Sequence, residues 1–307
     1  MRVVVALGGN AILKRGDRGT IGEQRAAVRE ATEDLARLAS DGHELIVTHG
    51  NGPQVGRLML QDEALPDRVP RYPLDVHVAE TQGQLGYLIQ QELTASLTRA
   101  GVPRLVVTVV TQVEVDPADP AFAHPTKPVG PFLSKKGAAE HRARGIPIVE
   151  VGDGGWRRVV ASPIPTAVIE AEAIGALLAA STVPIAAGGG GIPVVRDGNG
   201  LRGVPAVIDK DSTSAVLARA LQADALLILT DVAHVQRRFG TPDAEPIARM
   251  TAGEAEAGVE AGDFPRGSMG EKVLAAAAAA RAGIRAVIGP LGDGARALAG
   301  ETGTVVT

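Results

Sequence analysis

The chain has 307 residues and sets 31 lysines and arginines against 35 aspartates and glutamates, so its net charge of -4 excludes the unbalanced basic face expected of a nucleic-acid binder. It has no cysteine, which excludes a disulfide framework, a thiolate zinc site and a cysteine nucleophile and makes the cytoplasm the expected compartment. With 45% apolar and only 2% aromatic residues, and with 38 glycines, it reads as an ordered chain whose strands end in tight backbone turns.

The N-terminal run Val3 to Leu7 is too short for a signal-peptide core or a spanning helix, as is the alanine-rich stretch 274–280, so no membrane role is expected. Residues 2–7 form a β-branched, buried-strand pattern that breaks at Gly8-Gly9-Asn10. Residues 23–40 place Ala27, Val28, Ala31, Leu35 and Leu38 at helical spacing before an Asp41-Gly42 stop. A second strand, 44–48, runs into His49-Gly50-Asn51-Gly52-Pro53, with the proline where the first turn of a helix tolerates it. Further strands are predicted at 105–110, 183–187, 225–229 and 286–288, and helices at 76–100, 168–180, 212–221 and 269–282. This alternation predicts an α/β fold with a mostly parallel sheet between helices. Residues 111–165 break the rhythm with repeated prolines and two strand-like pieces, 146–150 and 157–160, and read as a protruding subdomain or lid.

Ligands of open α/β sheets bind at the carboxyl ends of strands, where this chain carries Gly8-Gly9-Asn10, Gly50-Asn51-Gly52 and Gly188 to Gly191. Glycine lets backbone amides approach an anion, and a helix beginning just after adds its positive end, so three such clusters read as an anion cradle rather than as three unrelated turns. There is no GxxxxGK[ST] loop, and Gly50, Gly52 and Gly56 are spaced one residue wider than a dinucleotide fingerprint. Positive charge must come from dispersed lysines, of which Lys127, Lys210 and Lys272 stand in unusual settings. A lone lysine is ordinarily a solvated surface charge. Lys210 differs, being flanked by Asp209 and Asp211 ahead of Ser212-Thr213-Ser214; Asp211 is either an organiser of lysines or a plain helix N-cap. His77, His124 and His141 lack metal-ligand spacing, so no protein-built metal site is expected.

The segments ALGGNAIL, THGNGPQVG, PLDV, TQGQLGYLIQQEL, PTKPVGPF, WRRVVASPIP, GGGGIPV, VIDKDSTSA, LTDV and GSMGEK, in this order across nearly the whole chain, resemble the carbamate kinases of the amino-acid kinase family. The resemblance implies a three-layer αβα sandwich with a mostly parallel central sheet and a small protruding subdomain. It implies one domain, 1–307, with an acceptor half at about 1–205, a nucleotide half at about 206–307, and the subdomain 111–165 inserted in the first half. Carried over position by position, Gly8, Gly9, Asn10, Gly50, Asn51, Gly52, Gly189 and Gly190 form the acceptor and phosphoryl cradle. Lys127, Lys210 and Lys272 act on the transferring phosphoryl group with Asp211 holding lysines in place, and Lys210, Thr230, Asp231, Met269, Gly270 and Lys272 border the nucleotide.

The activity implied is reversible phosphoryl transfer between ATP and carbamate, giving ADP and carbamoyl phosphate and run toward ATP, with magnesium carried by the nucleotide phosphates and a homodimer as the assembly. His49 suggests a general base, but an acceptor oxygen that is already anionic needs none. Two positions depart from the family pattern: Gln236 replaces a tyrosine near the expected base site, and Glu271 replaces a proline beside Lys272. Two alternatives stay open, a kinase of another small carboxylate and a non-catalytic sensor of nucleotide or carbamoyl phosphate on the same scaffold.

Overall fold

The computed structural model describes residues 1–14, 16–64, 70–151, 155–265 and 269–307. Along strand Arg2–Leu7, Val3, Val5 and Leu7 face one side and Val4 and Ala6 the other, and all five are fully buried. A strand apolar on both faces has to be covered on both, the condition for a parallel sheet between two helical layers. Eight strands make up this sheet, in the order Arg249–Met250, Thr304–Val306, Arg285–Pro290, Ala225–Thr230, Arg2–Leu7, Glu44–His49, Val183–Ile185, Val106–Thr108. Every pairing is parallel except that of Thr304–Val306 with Arg285–Pro290.

One face of the sheet is covered by Leu35 and Leu38 of helix Ile21–Ser40, Leu85 and Ile89 of helix Leu74–Arg99, and Ala297 of helix Gly294–Ala299. The other is covered by Ile174 of helix Ala171–Ala179, Leu217 of helix Lys210–Ala220, Ala255 of helix Ala252–Glu260 and Val273 of helix Met269–Arg281. These two layers and the sheet make the expected αβα sandwich. No helix among the described residues is long and apolar enough to cross a membrane.

Local capping moves several predicted boundaries. The first helix starts at Ile21 because Thr20 caps it, forming a reciprocal capping box with Glu23. The helix predicted from 168 starts at Ala171, since Pro165–Val168 is a strand antiparallel to Gln112–Val115. The helix predicted from 212 starts at Lys210, capped by Asp209. Two hairpins, Ile192–Asp197 with Gly200–Gly203 and Val235–Arg237 with Glu245–Ile247, and helix Ala252–Glu260 lay outside the expectations.

The proline-rich segment is more regular than its composition suggests. Strands Lys127–Leu133, Ile148–Val151 and Gly155–Val160 form an antiparallel sheet, with helix Lys135–Ala143 packed alongside. Its flanks, Gln112–Val115 and Pro165–Val168, instead join Ile192–Asp197 and Gly200–Gly203 in a separate four-stranded sheet. Val129 and Val160 pack with Val55 and Met59 of helix Gly52–Ala64 and with Val207, and Arg158 donates to Glu63 at 2.5 Å. That small cluster and its ion pair seat Lys127 above the end of the main sheet.

Candidate active site

Register alone assembles the glycine segments. Leu7 lies opposite both His49 and Leu229, and Val47 lies opposite Ile185, so the turns after these strands emerge at one edge of the sheet. The Gly8 amide donates back to Leu229 O at 2.9 Å. Asn10 Nδ2 donates to Asp231 Oδ2 at 2.8 Å, and Thr230 Oγ1 donates to Asp231 Oδ1 at 3.1 Å, linking the first cluster to the neighbouring strand end. Asn51 is buried and donates to Thr81 Oγ1 at 2.8 Å. Gly50 and Gly52 flank it, and Gly52 opens helix Gly52–Ala64, so its amide end faces the same edge.

The four-glycine turn is built for glycine on two counts. Gly189, Gly190 and Gly191 have φ of 67, 88 and 92°, in the left-handed region, and a Cβ on Gly190 would stand 2.2 Å from Ile208 O. The Gly190 carbonyl is taken by Thr213 Oγ1 at 2.8 Å.

The lysines converge around two carboxylates at the start of helix Lys210–Ala220. Asp209 is the N-cap: its Oδ1 accepts from the amides of Asp211 and Ser212, while its Oδ2 accepts from Lys127 Nζ at 2.5 Å. The capping role weighed for Asp211 therefore belongs to Asp209. Asp211, 1% exposed, accepts from Lys210 Nζ on one oxygen and from Lys272 Nζ at 3.0 Å on the other. The three lysines come from strand Lys127–Leu133 of the three-stranded antiparallel sheet, the start of helix Lys210–Ala220 and the first turn of helix Met269–Arg281.

Their titration follows from this packing. Burial opposes the charge on Asp209, yet Lys127 and Lys210 hold it well below the ordinary carboxylate range. Burial likewise pulls Lys127 and Lys272 down, but Asp209 beside the first and Asp211 beside the second leave both raised. Lys210 is lowered, because its burial and the charge of Lys272 outweigh its carboxylate neighbours. Glu271 does not turn its charge away: it adds to the field that raises both Lys127 and Lys272. His49, fully enclosed, is pushed down to about 4 by burial and by Lys210, so it is neutral at physiological pH.

Met269 and Gly270 begin the helix that carries Lys272, and the Gly270 amide donates to Pro265 O at 2.9 Å. Gly267 and Ser268 of the GSMGEK segment lie outside the described residues. Gln236 is half-buried on the hairpin strand Val235–Arg237, opposite Pro246. His77 lies between Asp62 and Glu80, at 3.0 and 2.7 Å. Among the described residues no group of three or more His, Cys, Asp or Glu side chains could hold a metal ion. Sequence reasoning noted Asp209 only as a flank and missed its capping role; the signal was an aspartate placed just before Lys-Asp-Ser at a helix start. It also gave no role to Thr213, Thr81 or Gln82, which support the turns from beneath.

The model of the amino acid kinase family covers residues 1–290. The carbamate kinase of Thermococcus kodakarensis is 46% identical over 99% of this chain and 98% of its own length. Carbamate kinase 1 of Enterococcus faecium is 48% identical over 90% and 88%, and a carbamate kinase-like protein of Escherichia coli is 45% identical over 99% and 98%. Among solved structures, the carbamate kinase of Giardia lamblia bound to AMP-PNP is 38% identical over 99% of this chain and 98% of that one, with a TM-score of 0.90. With the family model spanning residues 1–290 and relatives of this identity along nearly the full length, the chain is a kinase that belongs to the amino acid kinase family.

Proposed function

We propose that the chain is a carbamate kinase, transferring a phosphoryl group reversibly between ATP and carbamate, and run toward ATP from carbamoyl phosphate. The observation that carries this reading is the convergence of Lys127, Lys210 and Lys272 on Asp209 and Asp211 beside three glycine turns. Phosphoryl transfer asks little covalent chemistry of a protein; it asks for alignment and for cations where charge spreads over the transferring oxygens.

In the ATP-forming direction a terminal ADP oxygen attacks phosphorus, the bond to the carbamate oxygen breaks, and carbamate leaves as an anion. The glycine turns at 8–10, 50–52 and 188–191 hold the small acceptor and the phosphoryl oxygens through amides other than those of Gly8, Gly190 and Gly191, which donate to Leu229 O, Ala187 O and Gly188 O. Lys210 and Lys272 neutralise the transferring group, fixed in place by Asp211, and Lys127 brings a third cation from the subdomain. Thr230, Asp231, Met269 and Gly270 border the nucleotide. A neutral His49 suits a reaction with no proton to remove. Magnesium enters with the nucleotide phosphates as part of the substrate, and the Asp209 and Asp211 oxygens already taken by lysines fit that arrangement. We further assign the protein to the cytoplasm as a homodimer, the latter checked by light scattering on the purified protein.

The test is a coupled assay of ATP formation from ADP, magnesium and carbamoyl phosphate, followed in the reverse direction with carbamate, acetate and amino-acid carboxylates as acceptors. Carbamate is expected to give the highest kcat/KM; a better value for another acid displaces it, and ligand-induced thermal stabilisation without any turnover establishes the sensor instead.

A further inference from the structure

The segment TQGQLGYLIQQEL is prominent in the sequence, yet nothing in the site described above uses most of it. It lies in helix Leu74–Arg99, where residues four apart share a face, so Gln82, Gly86 and Gln90 form one stripe. All three meet the chain between 108 and 111. Gln90 Oε1 accepts from the Thr108 amide at 2.9 Å. At Gly86 a Cβ would lie 2.2 Å from Thr108 Cγ2, so only glycine lets the helix settle so near this segment. That approach brings Gln82 within reach of Thr111. Gln82 Oε1 accepts from the Thr111 amide at 2.8 Å, and Gln82 Nε2 donates to Thr111 O at 3.1 Å and to Gly188 O at 3.0 Å.

Gln82 is 1% exposed and Thr111 fully buried. Thr111 Oγ1 in turn accepts from the Ala187 amide at 2.9 Å, and Ala187 has a φ of 49°, which a residue with a side chain adopts only when its surroundings impose it. The carbonyl of Gly188 is thus drawn toward Gln82 just as that of Gly190 is drawn toward Thr213. The Gly190 and Gly191 amides close the turn on Ala187 O and Gly188 O, at 3.0 and 3.1 Å, so an anion would meet the amides of Gly188 and Gly189, with the carbonyl dipoles turned away.

We propose that Gln82 is a positioning residue for the phosphoryl acceptor: by gripping Thr111 and the Gly188 carbonyl together, it holds the four-glycine turn in its anion-binding conformation. Its partner in this is Thr111, and Gly86 sets the approach of the helix. The proposal rests on the carbamate kinase reading for its substrate, and on geometry alone for the conformation of the turn.

Gln82→Met keeps the length of the side chain and removes all three hydrogen bonds; Gly86→Ala keeps the Gln82 side chain and pushes the helix that carries it back from Thr108. Kinetics are measured in the ATP-forming direction together with hydrogen exchange of the peptide spanning 183–195. Gln82→Met is expected to lower kcat/KM for carbamoyl phosphate by about ten- to a hundredfold, since a displacement of about 1 Å at a reacting centre costs that much, while KM for ADP stays within about twofold. Amides 187–191 should exchange faster, with strand Ala225–Thr230 unchanged, and Gly86→Ala should show the same pattern more weakly. Equal loss toward both substrates, faster exchange throughout the sheet, or no change in either readout overturns the proposal. Because exchange needs no activity, a wild-type protein inert toward carbamoyl phosphate sinks the functional reading alone, leaving the positioning of the turn to be judged by exchange.

Discussion

Asp211 is the most exposing point at which to press this account. Its two carboxylate oxygens each hold an ammonium, and it is 1% exposed, with the Lys210 and Lys272 side chains only 10% and 16% exposed. Asp211→Asn keeps the shape and removes the charge. Breaking a buried pair by removing one partner costs about 3–5 kcal/mol, because the other charge stays buried without its counter-ion. The system has one ready way to relieve this cost. Lys210 is already lowered by burial and by Lys272, and Asp211 is the strongest influence holding it up, so in the variant Lys210 releases its proton more readily. On the role proposed for Lys210, positive charge is then lost where charge redistributes on the phosphoryl group, worth up to about 2.7–4 kcal/mol or 10²–10³ in kcat for a single electrostatic stabiliser. The assay is ATP formation from ADP and carbamoyl phosphate across pH 6 to 9. The alkaline limb of the kcat profile should move to lower pH, since a lysine without its carboxylate deprotonates earlier, and kcat at its maximum should fall by about 10²–10³. A kcat within about threefold of wild type with an unmoved alkaline limb refutes the reasoning.

Three further outcomes follow from the same geometry. Lys127→Ala should lower kcat by about tenfold or more while leaving the Kd for ADP within about threefold by calorimetry, because Lys127 meets Asp209 and is not among the residues proposed to border the nucleotide. Glu271→Gln removes a negative charge felt by both Lys127 and Lys272 and should lower KM for carbamoyl phosphate several-fold, most visibly at low ionic strength. His49 is held neutral down to about pH 4 when folded, against an ordinary value of 6.5, so the unfolded chain binds its proton first. Stability linked to His49 is therefore full above pH 6.5 and is lost as pH falls toward 4. The loss approaches about 3 kcal/mol, and His49→Gln should flatten that part of a urea-denaturation pH profile.

The central strands were legible because residues such as Val3 to Leu7 and Ala225 to Leu229 are apolar on both faces, a pattern with few other solutions in a chain of alternating elements. Helix starts were less so: Thr20 and Asp209 each begin a helix by capping it, and a hydrophobic periodicity does not register a cap. The hairpin Val235–Arg237 with Glu245–Ile247 escaped because its strands are short and largely exposed, with only Val235 fully buried. In the site, each glycine cluster could be read from its place after a strand, while their adjacency depended on strand order, which no local pattern states. The lysines carried the least local information. Lys127 and Lys272 look like surface charges in isolation, and only the packing of strand Lys127–Leu133 on helix Gly52–Ala64 and of helix Met269–Arg281 beside helix Lys210–Ala220 brings them to Asp209 and Asp211. Gln82 shows the opposite case: the stripe of Gln82, Gly86 and Gln90 is plain from spacing, but what it faces is not.

The most direct test of the central claim is the rate of magnesium-dependent ATP formation from ADP and carbamoyl phosphate by the wild-type protein, beside Lys210→Ala and Lys272→Ala under identical conditions. The account predicts robust wild-type turnover and a kcat about 10²–10³ lower in each variant, with both KM values changed only a few-fold, because these charges act chiefly as the phosphoryl group moves. Wild-type kcat in either variant, or a wild-type protein that makes no ATP, contradicts it.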